Sequence, residues 1–430
     1  MIMWRKVINL NKQSIPKNNL NLNKYLNLIK TRDLSNDNNE KKKLNNDSII
    51  ELSSAQNVNK SENKNENENL LNLIKDSANF NEITNNNWST TPYNSAGEKI
   101  ALLCNNNKKN KIKINPTDTT IFMFPGQGTL KIGAIKKYLH YPRVKELFDI
   151  SNQVLGYDIL NICLNGPQDK LNKTEYNQVA TILTSLSALE KIWEETPLAV
   201  DNCKAALGYS VGELTALIFS GALTIEDGIR LAGIRGAAMQ YASDQEPNQG
   251  MLTVVSKSRV NINKACKDAT DWAINMGISL PVCQIAIYLC NQTRVLAGHE
   301  KSLEYIINNN KNYKINIIKR LSVSGAFHTP LMKPALKSYI KALNEIEIQE
   351  PRVTVYSNIT AEPYKSCNQI RKSLPKQIIS PVKWEQILHS VYKRPHGNTF
   401  PRTFDLGSNG TMKTILEKNN FAAADSCTTV

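Results

Sequence analysis

The sequence predicts an α/β protein in which a parallel sheet carries an inserted subdomain of the split βαβ, ferredoxin-like kind. Three observations support this. Buried-strand runs alternate with helical stretches from Thr119 onward. The strand "KAALG" (204–208) runs straight into a helix through a glycine-rich turn. Residues 245–317 read strand, helix, strand, strand, helix, strand. At 430 residues and 41% hydrophobic side chains, the chain has room for two to three domains and a large core.

The first part of the chain differs in kind. Residues 1–117 are dominated by Asn and Lys, as in "KSENKNENENL". Such a segment offers few apolar groups to offset its chain entropy, so it reads as a disordered extension. Its first 32 residues hold seven Lys/Arg and no Asp or Glu, and "MWRKVINLNK" has the pattern of a basic amphipathic helix. This predicts a mitochondrial transit peptide, although Asn and Lys stand where Arg and Ser are usual. Residues 118–244 and 318–425 are assigned to a large subdomain, and 245–317 to the small one.

Net charge is +15, of which +9 falls after residue 118. The globular part is therefore basic in its own right, which favours an acidic partner. No dense Lys/Arg stripe with interleaved aromatics is present, which argues against nucleic acid. No apolar run of about 18 residues occurs, so no membrane helix is expected. The eight cysteines are scattered, with no C-x-x-C and no zinc spacing, and read as free thiols.

The elements follow in order. "TTIFMF" (119–124) is a short buried strand ended by Pro-Gly, and "KAALG" is the second. "VGELTALIFSGAL" has helical spacing, and Thr224 with Asp227 opens a long helix by a capping-box pattern. The small subdomain then runs "MLTVV", "NINKACKDA", "CQIAIYL", "TRVLAGH", "KSLEYIINN", "KINIIKRL". After it come "SGAFH" as a strand end, a helix from Thr329-Pro330, a strand "VTVYSN", a helix from Trp384 and a strand "TFDLG".

The turn at 208–212 is G-x-S-x-G, between strand and helix, which makes the large subdomain α/β-hydrolase-like and Ser210 a nucleophile rather than a plain loop serine. A serine needs a base. Of the five histidines, His328 stands where catalytic groups collect around such a sheet; His140, His299, His389 and His396 read as structural or solvated. "FPGQG" follows the first strand, and its Gln127 N–H, with that of Val211 at the helix start, suits an oxyanion. Arg235 lies among apolar neighbours. Its fork suits a carboxylate, or else a structural salt bridge with a residue such as Glu213.

Together "FMFPGQG", "NGPQDKLNKTEYNQ", "GYSVGELTAL", "IRGAAMQ", "SGAFHTPLMKPA", "YSN" and "ISPVKWEQ" resemble the malonyl-CoA:acyl-carrier-protein transacylases, most of all their mitochondrial form. The resemblance covers residues 119–425. It implies that Ser210 is acylated, that His328 is general base and then acid, and that Gln127 and Val211 form the oxyanion hole. It further implies that Arg235 binds the free malonyl carboxylate, that Gln178 and Phe327 border the acyl pocket, and that the Lys383 backbone carbonyl orients His328. Phe327 would crowd a methyl branch. Malonyl-CoA and an acidic acyl carrier protein docking on the basic surface would be the partners, with no metal or cofactor, in the mitochondrial matrix.

Tyr209, Thr129-Leu130, Ile287 and "DLGSNG" depart from the family's usual residues. A serine esterase or thioesterase of α/β-hydrolase type and a catalytically silent scaffold are the rival readings. The targeting expectation has a direct check: residues 1–35 fused to a fluorescent protein should enter mitochondria, and cytosolic retention would refute it.

Overall fold

The computed structural model describes residues 115–430 apart from 129, 247, 257–261 and 396. The expected extension up to residue 114, the transit peptide, Cys104, Thr129 and His396 lie outside the described residues; the extension's last residues are ordered, Asn115 capping a short 3-10 helix at Pro116–Asp118. Five parallel strands form the main sheet in the order β7-β2-β1-β8-β9. They are β1 (Thr120–Phe124), β2 (Cys203–Gly208), β7 (Thr354–Val355), β8 (Arg402–Asp405) and β9 (Cys427–Thr429). β1 is central and buried along its whole length, which is why it reads as an unbroken apolar run. Phe122 stands edge-on to Phe219 and Phe404, with centroids 5.1 and 5.7 Å away.

The register places function. Phe124 pairs with Gly208, so the two central strands end side by side. The loops that leave them, one carrying Gln127 and the other Ser210, open at the same sheet edge, and Tyr209 N donates to Phe124 O at 2.9 Å. Three helices enclose this edge: α1 (Thr174–Glu195), α2 (Gly212–Phe219) and α3 (Ile225–Gln245). Thr224 caps α3 by accepting from Asp227 N, as its sequence pattern predicts. α1 and α3 meet at Gly236, where a Cβ would stand 2.7 Å from Thr174 O.

The small sheet is antiparallel, in the order β4-β5-β3-β6: β3 (Gln249–Ser256), β4 (Cys283–Cys290), β5 (Thr293–His299) and β6 (Ile315–Arg320). With α4 (Ile262–Asn275) and α5 (Glu300–Asn308) this is the split βαβ order. It has its own core, including Leu252, Val254, Ala265, Leu303 and Ile306. It is fastened to the large part along β4. Tyr288 N donates to Val382 O and Val382 N to Ala286 O, each at 2.9 Å. Nearby, Arg294 pairs with Glu385 at 3.0 Å, both buried. Val382 and Glu385 belong to the stretch joining α6 (Cys367–Ile379) to α7 (Trp384–Tyr392) and to α7 itself.

Three local expectations change. "SGAFH" is not a strand: β6 ends at Arg320, and Ala326 N is taken by the Gln249 side chain at 2.8 Å instead of a ladder partner. "VTVYSN" yields only the two residues of β7, because the backbone of Ser357 turns back to Glu362 O. β9 is an additional edge strand beyond "TFDLG", paired with β8.

The close approach of α1 and α3 can be tested by adding bulk. Gly236→Val should cost about 2 kcal/mol by overpacking. It should appear as a lower urea midpoint at unchanged m; an unchanged midpoint would contradict the contact.

Candidate active site

Ser210 stands on a turn that only its two flanking glycines allow. A Cβ at Gly208 would lie 2.1 Å from Gly212 O, and one at Gly212 would lie 2.3 Å from Phe124 O. The turn forces Ser210 to φ 54°, a left-handed conformation that costs a non-glycine residue about 1–3 kcal/mol. Asn358 holds it there: its Oδ1 accepts from Ser210 N at 2.8 Å and its Nδ2 donates to Gly208 O at 2.7 Å. Tyr209 has a steric role. Its ring packs edge-on to Trp384 (5.3 Å) and lies so close to Gly126 that a Cβ there would be 2.8 Å away.

Ser210 Oγ and His328 Nε2 are 2.8 Å apart, so the structure brings together the two residues expected to serve as nucleophile and base. His328 sits at φ 61° in an irregular loop. Its N–H donates to Ile378 O at 3.1 Å, and its carbonyl accepts from Gln284 Nε2 at 3.3 Å. The orienting carbonyl is that of Gln377, 2.6 Å from His328 Nδ1, and not that of Lys383. Lys383 O is spent on Ile387 N, in the first turn of α7. With Nδ1 bearing the hydrogen, Nε2 is free to accept the serine proton. Burial, reinforced by the Arg235 charge, pushes the His328 pKa from the ordinary 6.5 down to about 3, while the Gln377 bond works the other way.

Gln127 follows β1 and Val211 precedes the first turn of α2. Among the described residues, neither N–H is engaged by a backbone acceptor. The α2 N-terminus therefore offers donors beside Ser210. Gln178, buried on α1, joins this loop to the arginine. Its Nε2 donates to Gln127 Oε1 at 3.0 Å and its Oε1 accepts from Arg235 Nη1 at 2.6 Å. Phe327, next to His328, is buried in the main core.

Arg235 is buried, and among the described residues it has no ion pair within 4 Å. The salt bridge with Glu213 is not formed. Two neutral amide oxygens hold the guanidinium instead, Gln178 Oε1 and Gln377 Oε1, the latter at 2.8 Å from Nη2. Three of its five N–H groups remain for a ligand, and a buried cation without a counter-ion favours an anionic one. Among the described residues no group of three or more His, Cys, Asp or Glu is placed to hold a metal.

Asn358, Gln377 and Gln284 were not singled out from the sequence. Asn358 lies in the "YSN" motif, which marks a place but not a role. Gln377 carries no local signal beyond a polar side chain buried in α6.

Residues 121–400 match the acyl transferase domain family. The chain is 41% identical over 353 residues to a probable mitochondrial malonyl-CoA-acyl carrier protein transacylase of Drosophila melanogaster, covering 79% of this chain and 93% of that protein. It is 41% identical over 308 residues to the mitochondrial malonyl-CoA-acyl carrier protein transacylase of Homo sapiens, covering 72% and 79%. Among solved structures, a malonyl CoA-acyl carrier protein transacylase from Coxiella burnetii superposes with a TM-score of 0.63 at 26% identity, covering 72% of this chain and 93% of that one.

The lowered His328 pKa gives two pH expectations. The free enzyme keeps its base neutral well below pH 6.5, so the acid limb of kcat/KM should lie clearly under 6.5. A limb at 6.5 would contradict the burial effect. Because the folded state refuses a proton that the unfolded chain accepts, this histidine's contribution to stability is full above pH 6.5. It is lost as pH falls from 6.5 toward 3.

Proposed function

The chain belongs to the acyl transferase family, in the branch of the malonyl-CoA–acyl carrier protein transacylases, and on that premise we propose a cycle through a malonyl ester on Ser210. The observation that carries it is the 2.8 Å approach of Ser210 Oγ to His328 Nε2, with Arg235 bonded to the same Gln377 whose carbonyl meets His328.

In the first half, His328 Nε2 takes the Ser210 proton as Oγ bonds to the malonyl thioester carbon. The oxyanion lies against the Gln127 and Val211 N–H groups. Collapse breaks the C–S bond, and coenzyme A leaves as the thiol with the proton from His328. In the second half, the phosphopantetheine thiol of acyl carrier protein gives its proton to His328 and attacks the same carbon. The C–O bond breaks, and Ser210 recovers its proton. The Gln377 carbonyl supports the imidazolium that forms twice per cycle.

Arg235 receives the free carboxylate of the malonyl group. That carboxylate also offsets the positive charge that weakens His328 as a base, so a correct substrate raises the basicity of the group that must act on it. Phe327 crowds a methyl branch, at a cost of about 1–3 kcal/mol to methylmalonyl. No resident metal or cofactor enters either half. The globular part is basic, which suits docking of an acidic carrier protein. The N-terminal extension directs the chain to the mitochondrial matrix, in line with relatives named mitochondrial.

Incubation with malonyl-CoA should add one malonyl mass on the Ser210 peptide, and Ser210→Ala should remove it. A chain that never acquires the mass overturns the cycle. Arg235→Ala should lower kcat/KM for malonyl-CoA against acetyl-CoA by about 10- to 100-fold, the worth of a charged hydrogen-bonded pair. An unchanged ratio would refute the carboxylate role.

A further inference from the structure

Glu213 is buried in the first turn of α2, three residues past the nucleophile, and the acyl-transfer cycle gives it no task. Its surroundings are specific. Oε1 accepts from Tyr364 Oη at 2.5 Å and from Asn358 N at 3.2 Å. Oε2 accepts from Gln377 Nε2 at 2.5 Å. Burial outweighs these three donors and Arg235, which pull the other way, and leaves its pKa raised to about 7. The network is thus arranged around an acceptor.

Gln377 stands between this carboxylate and Arg235. Its Nε2 faces three acceptors: Glu213 Oε2, Ser210 O at 2.9 Å and Asn358 Oδ1 at 3.4 Å. Its Oε1 faces Arg235 Nη2 at 2.8 Å. The orientation of an amide is assigned from such contacts. A flipped amide would set oxygen against a carboxylate, a carbonyl and an amide oxygen, and NH2 against a guanidinium. Of the three acceptors, only Glu213 can bear charge, so it contributes most to the choice.

The separation has a chemical consequence. A carboxylate in direct contact with Arg235 would occupy the fork that a substrate must use. Placed one amide away, Glu213 in its ionised form supplies negative potential to the buried cation and leaves the fork open. Resting on the reading of Arg235 as the carboxylate receptor, we propose that Glu213 is a positioning residue for acyl selectivity. It locks the Gln377 amide so that Oε1 holds the Arg235 guanidinium in place for a carboxylated acyl group, and Tyr364 anchors it.

The test compares kcat and KM for malonyl-CoA and for acetyl-CoA, which lacks the carboxylate, in the full chain with carrier protein as acceptor. Glu213→Gln presents an NH2 or loses the charge at Gln377. It should lower the malonyl-to-acetyl ratio of kcat/KM about tenfold, mainly through KM for malonyl-CoA, with acetyl kcat within about twofold. In an Arg235→Ala background the same change should leave the ratio unmoved. Tyr364→Phe, a milder change, should shift the ratio in the same direction by about threefold, and serves if Glu213→Gln does not fold. An unmoved ratio, or equal loss on both substrates, overturns the inference when Arg235→Ala does lower the ratio. If Arg235→Ala leaves the ratio intact, the carboxylate reading itself has failed, and the inference falls with it.

Discussion

The site depends on one residue, Gln377, bonded through both its main chain and its side chain. Its carbonyl fixes the tautomer of His328. Its side-chain nitrogen holds the carbonyl of the strained Ser210, and its side-chain oxygen holds Arg235. Ser210, His328 and Arg235 come from three separated parts of the chain, and this residue references all three to one another. A main-chain carbonyl suits the base because it orients the imidazole without adding a second negative charge to a site that must also admit an anionic acyl group.

Strain and packing cooperate at the elbow. The left-handed turn at Ser210 costs free energy, and Asn358 offsets it by bonding on both sides of the turn. The glycines at 208 and 212 matter for space as much as for conformation, since the strand, the turn and the helix approach each other within a methyl group's width. Tyr209 fills the room between Gly126 and Trp384, so the Gln127 loop and the elbow share a wall. The register of β1 against β2 then brings both loops to one edge.

Much of this was legible in the sequence. Unbroken apolar strands and the G-x-S-x-G turn announced the sheet and Ser210; chain position, the glycine-rich loop and an arginine among apolar neighbours pointed to His328, Gln127 and Arg235; and the family motifs added Gln178. What was not legible has a common physical origin. The orienting group is a carbonyl, which every residue possesses, so no side chain could mark Gln377 over Lys383. Asn358 and Glu213 act through partners about 150 residues away. The strand expected at "SGAFH" failed because a side chain, that of Gln249, took the backbone donor a ladder would have used. Local pattern cannot foresee such tertiary competition.

The seam between β4 and the Val382 segment joins the small sheet to the part of the chain that carries Gln377. Backbone bonds between Tyr288, Ala286 and Val382 tie β4 to the stretch between α6 and α7 at the spacing of adjoining strands, and Arg294 with Glu385 rivets the joint close by. β4 also carries Gln284, which donates to the carbonyl of His328, so the strand that fastens the small sheet to the large part is also the one that steadies the histidine loop.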